Sequence, residues 1–201
     1  MRRRAALLIP ALAASWPAVA ADGDYAFRVK RRGDVVGTHT VRFETRGAQR
    51  IATSELLIRP SVMGIVVYRY DHTYEEVTEA GRFRRVTSRL NRNGRIVEVR
   101  GEAVADAVLL DGSEGQQRLP ADSAPLSWWE MRRLGGRVPL FGTTTGRALD
   151  LAWQTGRAAA GGPQFTCSGE VTATVAFDTA GRWVGFSARG DDGHDIVYEP
   201  V

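Results

Sequence analysis

The chain has 201 residues, with 27 Lys and Arg, 23 Asp and Glu, three His and one Cys, for a formal charge of +4. One cysteine excludes an internal disulfide, and no apolar run after residue 20 approaches the roughly 18 residues of a membrane span. No phosphate loop, dinucleotide fingerprint or Gly-x-Ser-x-Gly elbow occurs, so the common cofactor and hydrolase classes leave no trace. In chain order, residues 1–20 come first and read as a secretory signal peptide. Arg2, Arg3 and Arg4 form a positive start, Ala5 to Ala14 a short apolar run, and Ala18-Val19-Ala20 a small-x-small cleavage site. Removing that segment takes three arginines and leaves a formal charge of +1. Export places the product in the periplasm. The remaining residues, 21–201, suit one β-rich domain that buries roughly 70% of the unfolded chain's surface.

Strand patterns follow in close succession. Tyr25, Phe27 and Val29 alternate on a first strand, and Gly33-Asp34 turns it into a second, Val36 to Glu44. Ile51 to Arg59 is a third, stopped by Pro60. Ile65 to Val77, Phe83 to Leu90 and Ile96 to Val104 form a meander. Short strands lie about Gly112 to Gly115. After a helical interruption, Leu149, Leu151 and Trp153 share a face. Gln164 to Phe177 with Trp183 to Ser187 forms a long hairpin, and Ile196 to Tyr198 closes the chain. The fold class is mainly β: a curved antiparallel sheet, or half-barrel.

Turn chemistry supports this. Thr78 to Arg82, Asn91 to Arg95 and Asp178 to Arg182 each end in Gly-Arg, and each fits a three-residue hairpin loop with its glycine at positive φ. In the first hairpin this register sets Glu75 opposite Arg85 and Asp71 opposite Arg89. On the other face Tyr74 meets Val86, His72 meets Ser88 and Tyr70 meets Leu90. Tyr68, Tyr70, His72 and Tyr74 then form one inward stripe. Spread between apolar strands, the Gly-Arg pairs read as turns and not as a disordered RNA-binding segment, and no nucleic-acid partner is expected.

The interruption is Ala124 to Gly136, with Trp128 and Trp129 side by side. Asp122 or Ser123 caps a short helix, Pro125 suits its first turn and Gly135-Gly136 ends it. Leu126, Trp129 and Leu134 share a side, while Trp128 points elsewhere. A helix apolar around much of its girth is expected to plug the concave face of the sheet.

The chain resembles a family of exported bacterial proteins designated domain-of-unknown-function family 6134. The matching stretches are Val175-Ala176-Phe177-Asp178-Thr179-Ala180-Gly181-Arg182-Trp183-Val184, the closing Asp195-Ile196-Val197-Tyr198, Tyr68 to Glu76, Pro125 to Trp129 and Thr145-Gly146-Arg147. It departs from the family at Phe177, where tryptophan then tyrosine is expected before the aspartate. These are turn and core motifs, so the resemblance implies a fold and not an activity. The plan is also similar, as architecture only, to the half-barrels of periplasmic lipoprotein carriers.

The candidate ligand-binding residues are Tyr68, Tyr70, His72, Tyr74, Trp128 and Trp129. A buried tyrosine hydroxyl wants a partner, so the stripe suits either a packed core or a pocket that is part apolar and part wet. His72 with Glu76 on one face, and His39 on another strand, lack the dense spacing of a metal site. No cofactor, metal site or catalytic set is expected. The functional expectation is an exported non-enzymatic binding protein that carries or sequesters a lipid or other hydrophobic molecule, or docks to an envelope protein. The alternatives are a His72-based or metal-dependent hydrolase and an interaction protein without ligand. A carrier requires an apolar cavity, an enzyme requires polar groups converging on His72, and an interaction protein requires a filled core with an exposed patch.

Overall fold

A computed structural model describes residues 23–190 and 192–201. The expected signal peptide lies outside these residues. Eighteen strands follow in order: β1 (Tyr25–Arg31), β2 (Asp34–Arg46), β3 (Gln49–Ile58), β4 (Ser61–Val62), β5 (Ile65–Val66), β6 (Tyr70–Glu79), β7 (Arg82–Arg92), β8 (Arg95–Ala103), β9 (Ala107–Gly112), β10 (Gly115–Pro120), β11 (Ala124–Pro125), β12 (Leu140–Phe141), β13 (Ala148–Leu149), β14 (Leu151–Arg157), β15 (Gly161–Gly169), β16 (Ala173–Asp178), β17 (Trp183–Arg189) and β18 (Asp195–Pro200). Thirteen of them make one antiparallel sheet, in the order β10-β9-β8-β7-β6-β3-β2-β1-β18-β17-β16-β15-β14. The first and last strands of the chain pair at its middle, Val29 opposite Tyr198. The sheet is open, with β10 and β14 as its edges.

One face is apolar because the residues alternate. In β1, Tyr25, Phe27 and Val29 are buried while Ala26 and Arg28 are exposed; in β16, Ala173, Val175 and Phe177 are buried. That is the pattern of a sheet with one solvated face. Residues 121–150 leave the large sheet and pack on the buried face, joined through a small sheet of β11, β12 and β13. Leu134 and Phe141 of this segment are fully buried, and Leu126, Trp129 and Leu140 nearly so. Cys167 is buried in the same core, with its thiol titrating above the ordinary value because of that burial.

Four local expectations need correction. The helix over Pro125 to Leu134 is absent except for a single 3-10 turn at Met131–Arg133, without a side-chain cap. Backbone bonding explains it. Ala124 N–H donates to Pro139 O and Leu126 N–H to Phe141 O, tying the start to β12, and successive tight turns then carry the chain to Leu134. Gly135 and Gly136 both take positive φ and turn the chain after Leu134, without a helix to end. Second, Ile65 to Val77 is not one strand. β4 and β5 form a separate hairpin about Met63-Gly64, and β6 starts at Tyr70. Third, Gln164 to Phe177 is two strands, β15 and β16.

The fourth concerns register. The β6–β7 loop has two residues, Ala80-Gly81, at φ 49° and 74°, and β7–β8 turns likewise on Asn93-Gly94 at 51° and 89°. Positive φ at both positions is the type I′ geometry, whose twist matches that of paired strands. A bulge at Val77/Thr78 then shifts the β6–β7 pairing further, so Glu76 faces Val86, Tyr74 faces Ser88, His72 faces Leu90 and Tyr70 faces Arg92. From Tyr70 to Glu76 the total slip is two residues from the expected partners, so the side chains there keep their expected faces, whereas at the bulge Val77 and Phe83 turn inward. Glu75 still reaches Arg85 diagonally at 3.3 Å, but Asp71 pairs with Arg59 instead of Arg89. At Asp178 to Arg182 the expected three-residue loop is present, with Gly181 at φ 81° and Asp178 Oδ1 accepting from the Ala180 and Arg182 amides.

Candidate functional site

The inner face of β6 delivers Tyr70, His72, Tyr74 and Glu76 toward the 121–150 segment, as alternate residues of a strand must. His72 and Tyr74 are buried, with rings stacked at 5.1 Å and 26°. Tyr74 stacks in turn on Trp129 at 5.5 Å and 17°. Trp129 also meets Phe43 edge-on at 6.1 Å and Trp183 at 6.5 Å. Tyr70 is half-buried, 6.5 Å from His72. Tyr68, also half-buried, packs at the margin of the core. Trp128 turns the other way, onto Phe186 at 4.9 Å. The six expected residues thus divide: His72, Tyr74 and Trp129 form one stack, Tyr70 and Tyr68 trail from it, and Trp128 is separate.

Sequence reasoning passed over Trp183, which touches Tyr25, Phe27, His39, Phe186 and Tyr198 and forms the centre of the aromatic cluster. Its signal was weak: it stands just after a turn, as the first residue of its strand.

A buried polar chain runs through the same layer. His39 Nε2 lies 2.9 Å from Ser54 Oγ, and Ser54 stands opposite Tyr74 in the β3–β6 register. The Tyr74 hydroxyl donates to Ser127 Oγ at 3.5 Å, and Ser127 donates to Glu76 Oε2 at 2.5 Å. Glu76 Oε1 lies 2.6 Å from Arg133 Nη1. Arg133 also donates to Pro125 O at 3.4 Å. Next to this pair Arg50 bonds to Glu130 and stacks over Phe43 at 4.0 Å. Trp129 Nε1, Arg133 Nη2, Arg50 Nε and Ser123 Oγ are buried without a hydrogen-bond partner. Glu76 was visible in the sequence as an inward carboxylate beside His72. Arg133, Ser127 and Ser54 were not, because their partners lie 15 to 57 positions away, in other elements.

Burial dictates the protonation of these groups. Desolvation lowers His39 to about 3, helped by nearby His72, and lowers His72 itself to about 4. Both rings are neutral near pH 7. Burial raises the Tyr74 hydroxyl and the Glu76 carboxyl, and for Glu76 the Arg133 guanidinium opposes it.

Polar groups do converge on His72, but not as a hydrolase needs. Its Nε2 is 3.0 Å from Ser88 Oγ, and that hydroxyl gives its proton to Thr143 O at 2.7 Å. Ser88 therefore accepts from His72, the reverse of nucleophile activation. In the second Ser–His pair, His39 Nδ1 has no partner, so no carboxylate orients the ring. Among the described residues no group of three or more His, Cys, Asp or Glu is placed to hold a metal ion.

Two open clefts occur away from this layer. One, of about 370 Å³, lies along β7 to β10 and includes Arg85, Thr87, Arg100 and Leu109. The other, of about 400 Å³, is formed by Gly156, Arg157, Gly161, Gly162 and Thr179. Neither is lined by any of the six candidate residues.

The sequence matches the family model described as domain of unknown function DUF6134 over residues 27–201. The chain belongs to that family. No curated protein matches this DUF6134 chain. Its fold is similar to that of a β-barrel-like protein of domain of unknown function DUF1849 from Brucella abortus, known from a crystal structure. The two share 10% identity at a TM-score of 0.59, over 89% of this chain and 94% of that one. At that identity the likeness concerns the fold alone. Every stretch that carried the resemblance beyond residue 27 falls within the matched region, and nearly all of it is turn and core.

Proposed function

We propose that this DUF6134 protein is an exported, periplasmic, non-enzymatic binding protein that docks to the cell envelope through the rim of its sheet. The observation that carries this reading is the filled concave face. Trp129, Tyr74, Trp183, Leu134 and Phe141 occupy the place where a carrier would hold its ligand. The buried Glu76–Arg133 pair fastens the 121–150 segment across it. Five of the exposed large hydrophobic residues instead lie together at the rim, where Val62, Met63, Ile65, Val66 and Val67 face solvent. A filled core with an exposed patch is the signature of an interaction protein. This favours the docking half of the sequence expectation over the carrying half, and among the described residues neither Ser–His pair is arranged to activate its serine for the hydrolase alternative.

Fractionation of cells producing the full chain tests the reading. The wild type is expected in the envelope fraction with residues 1–20 removed, and Ile65→Asp is expected in the soluble periplasmic fraction. Retention in the cytoplasm, or envelope association indifferent to Ile65, would overturn it.

A further inference from the structure

The β4–β5 hairpin stands outside the large sheet. Ser61 pairs with Val66 and Val62 with Ile65 about a Met63-Gly64 turn, with φ 51° and 81°. Met63 is 98% exposed, Ile65 70% and Val62 60%. Val62 and Ile65 share one face of the ribbon and Val66 lies on the other, so both faces are apolar. Its root is held firmly. Val67 N–H donates to Pro60 O, Arg59 N–H to Val36 O and Asn93 N–H to Arg69 O, while Asn93 Oδ1 accepts from the Arg69 amide at 2.7 Å. Arg59 forks onto Asp71 at 2.7 and 2.9 Å. The same rim carries exposed Arg32 and Val35 at the β1–β2 turn, and exposed Arg92 and Arg95 at the β7–β8 turn. Arg32, Arg59, Arg69, Arg92 and Arg95 thus stand at the hairpin's end of the sheet with Asp34 and with Asp71, which pairs with both Arg59 and Arg69; further along the rim, at the β17–β18 turn, Asp192 and Asp195 pair with Arg31 and Arg189.

We propose that the Ser61–Val66 hairpin is a peripheral membrane anchor, seating its Met63 tip among the headgroups of an anionic bilayer while the arginine collar meets the lipid phosphates. This rests on the docking reading and names its partner. Two features favour lipid over a protein groove. A groove covers one face of a ribbon, whereas an apolar medium that surrounds the hairpin buries both. Beside the hairpin the arginines outnumber the carboxylates, five to two, and that positive excess suits a negatively charged surface. Depth is limited. From Pro60 to the tip the ribbon spans about 10 Å at ~3.3 Å per residue. Its unpaired backbone groups keep it at the boundary of headgroups and acyl chains, where water can still reach them.

The test is cosedimentation of the purified protein with vesicles. Binding is expected to vesicles containing phosphatidylglycerol and not to pure phosphatidylcholine, and to weaken as salt rises. Ile65→Asp and Met63→Asp should each lower binding at least roughly tenfold with the melting midpoint unchanged, because neither side chain reaches the core. Arg95→Gln should lower it by roughly fivefold, the equivalent of about 1 kcal/mol per basic residue. A fluorophore at Met63→Cys should shift to the blue on anionic vesicles. Absence of vesicle binding, or binding that Ile65→Asp does not alter, overturns the anchor. If Ile65-dependent envelope retention persists without vesicle binding, the partner is a protein and only the lipid assignment fails. If retention itself ignores Ile65, the docking reading fails with it.

Discussion

Glu76 and Arg133 form an ion pair at 2.6 Å inside the protein, their side chains 1% and 7% exposed. Glu76 belongs to the sheet and Arg133 to the 121–150 segment, so the pair joins the two layers at their most enclosed point. Partnering a buried charge compensates its desolvation, and removing one partner strands the other.

Glu76→Gln and Arg133→Met should therefore each destabilise by about 3–5 kcal/mol in denaturant unfolding, whereas Glu76→Leu with Arg133→Met should recover most of that loss. Additive losses would mean that the two groups are independent.

Acid should loosen the same layer. His39 and His72 titrate at about 3 and 4 in the fold, against 6.5 when unfolded. The unfolded chain binds the extra protons, so their contribution is complete above pH 6.5 and is lost as pH falls toward 4. Near pH 5 each histidine should cost about 2 kcal/mol relative to pH 7. His39→Gln with His72→Gln should flatten the stability profile between pH 7 and 5, measured by urea unfolding. An unchanged slope would show that other groups carry the acid response.

The turns give a cleaner contrast. Gly181 sits at φ 81° and Ala80 at φ 49°. Gly181→Val should lower stability by at least about 1 kcal/mol, since β-branched residues enter that region poorly. Ala80→Asn should raise it by about 0.5–1 kcal/mol, because asparagine tolerates positive φ and suits a type I′ turn. Thermal unfolding of both variants checks the assignment, and opposite signs are required.

Trp129 decides whether the aromatic stack is core or pocket wall. In contact with Tyr74, Phe43 and Trp183, it should cost about 3–5 kcal/mol when cut to alanine. The wild type should show no saturable binding of a fluorescent fatty acyl probe. Mild destabilisation with loss of a real probe site would identify a pocket.

The sheet was legible because its residues alternate. Tyr25, Phe27 and Val29, or His72 and Tyr74, declare their face without knowledge of any partner strand, and a slip of two residues in β6–β7 pairing left those faces intact. What was hidden depends on distant partners. The Val77/Thr78 bulge has no local sequence mark, and the Pro125 to Leu134 helix was outcompeted by bonds to Pro139 and Phe141. Ile65 to Val67 read as the start of a long apolar strand, since only the fold shows that Tyr70, and not Ile65, begins the pairing with β7. At the site, the inward tyrosines and Trp129 were visible, whereas Arg133 looked like an ordinary basic residue near a helix end until Glu76 was found beside it.

The central claim is that the concave face is solid protein and that binding happens at the rim. Native mass spectrometry of the protein, the wild type freed from the envelope by high salt and Ile65→Asp released by osmotic shock, measures this directly. The account predicts the mass of the processed chain alone, for the wild type and for Ile65→Asp. A co-purifying hydrophobic molecule of several hundred daltons, lost in Trp129→Ala, would contradict it.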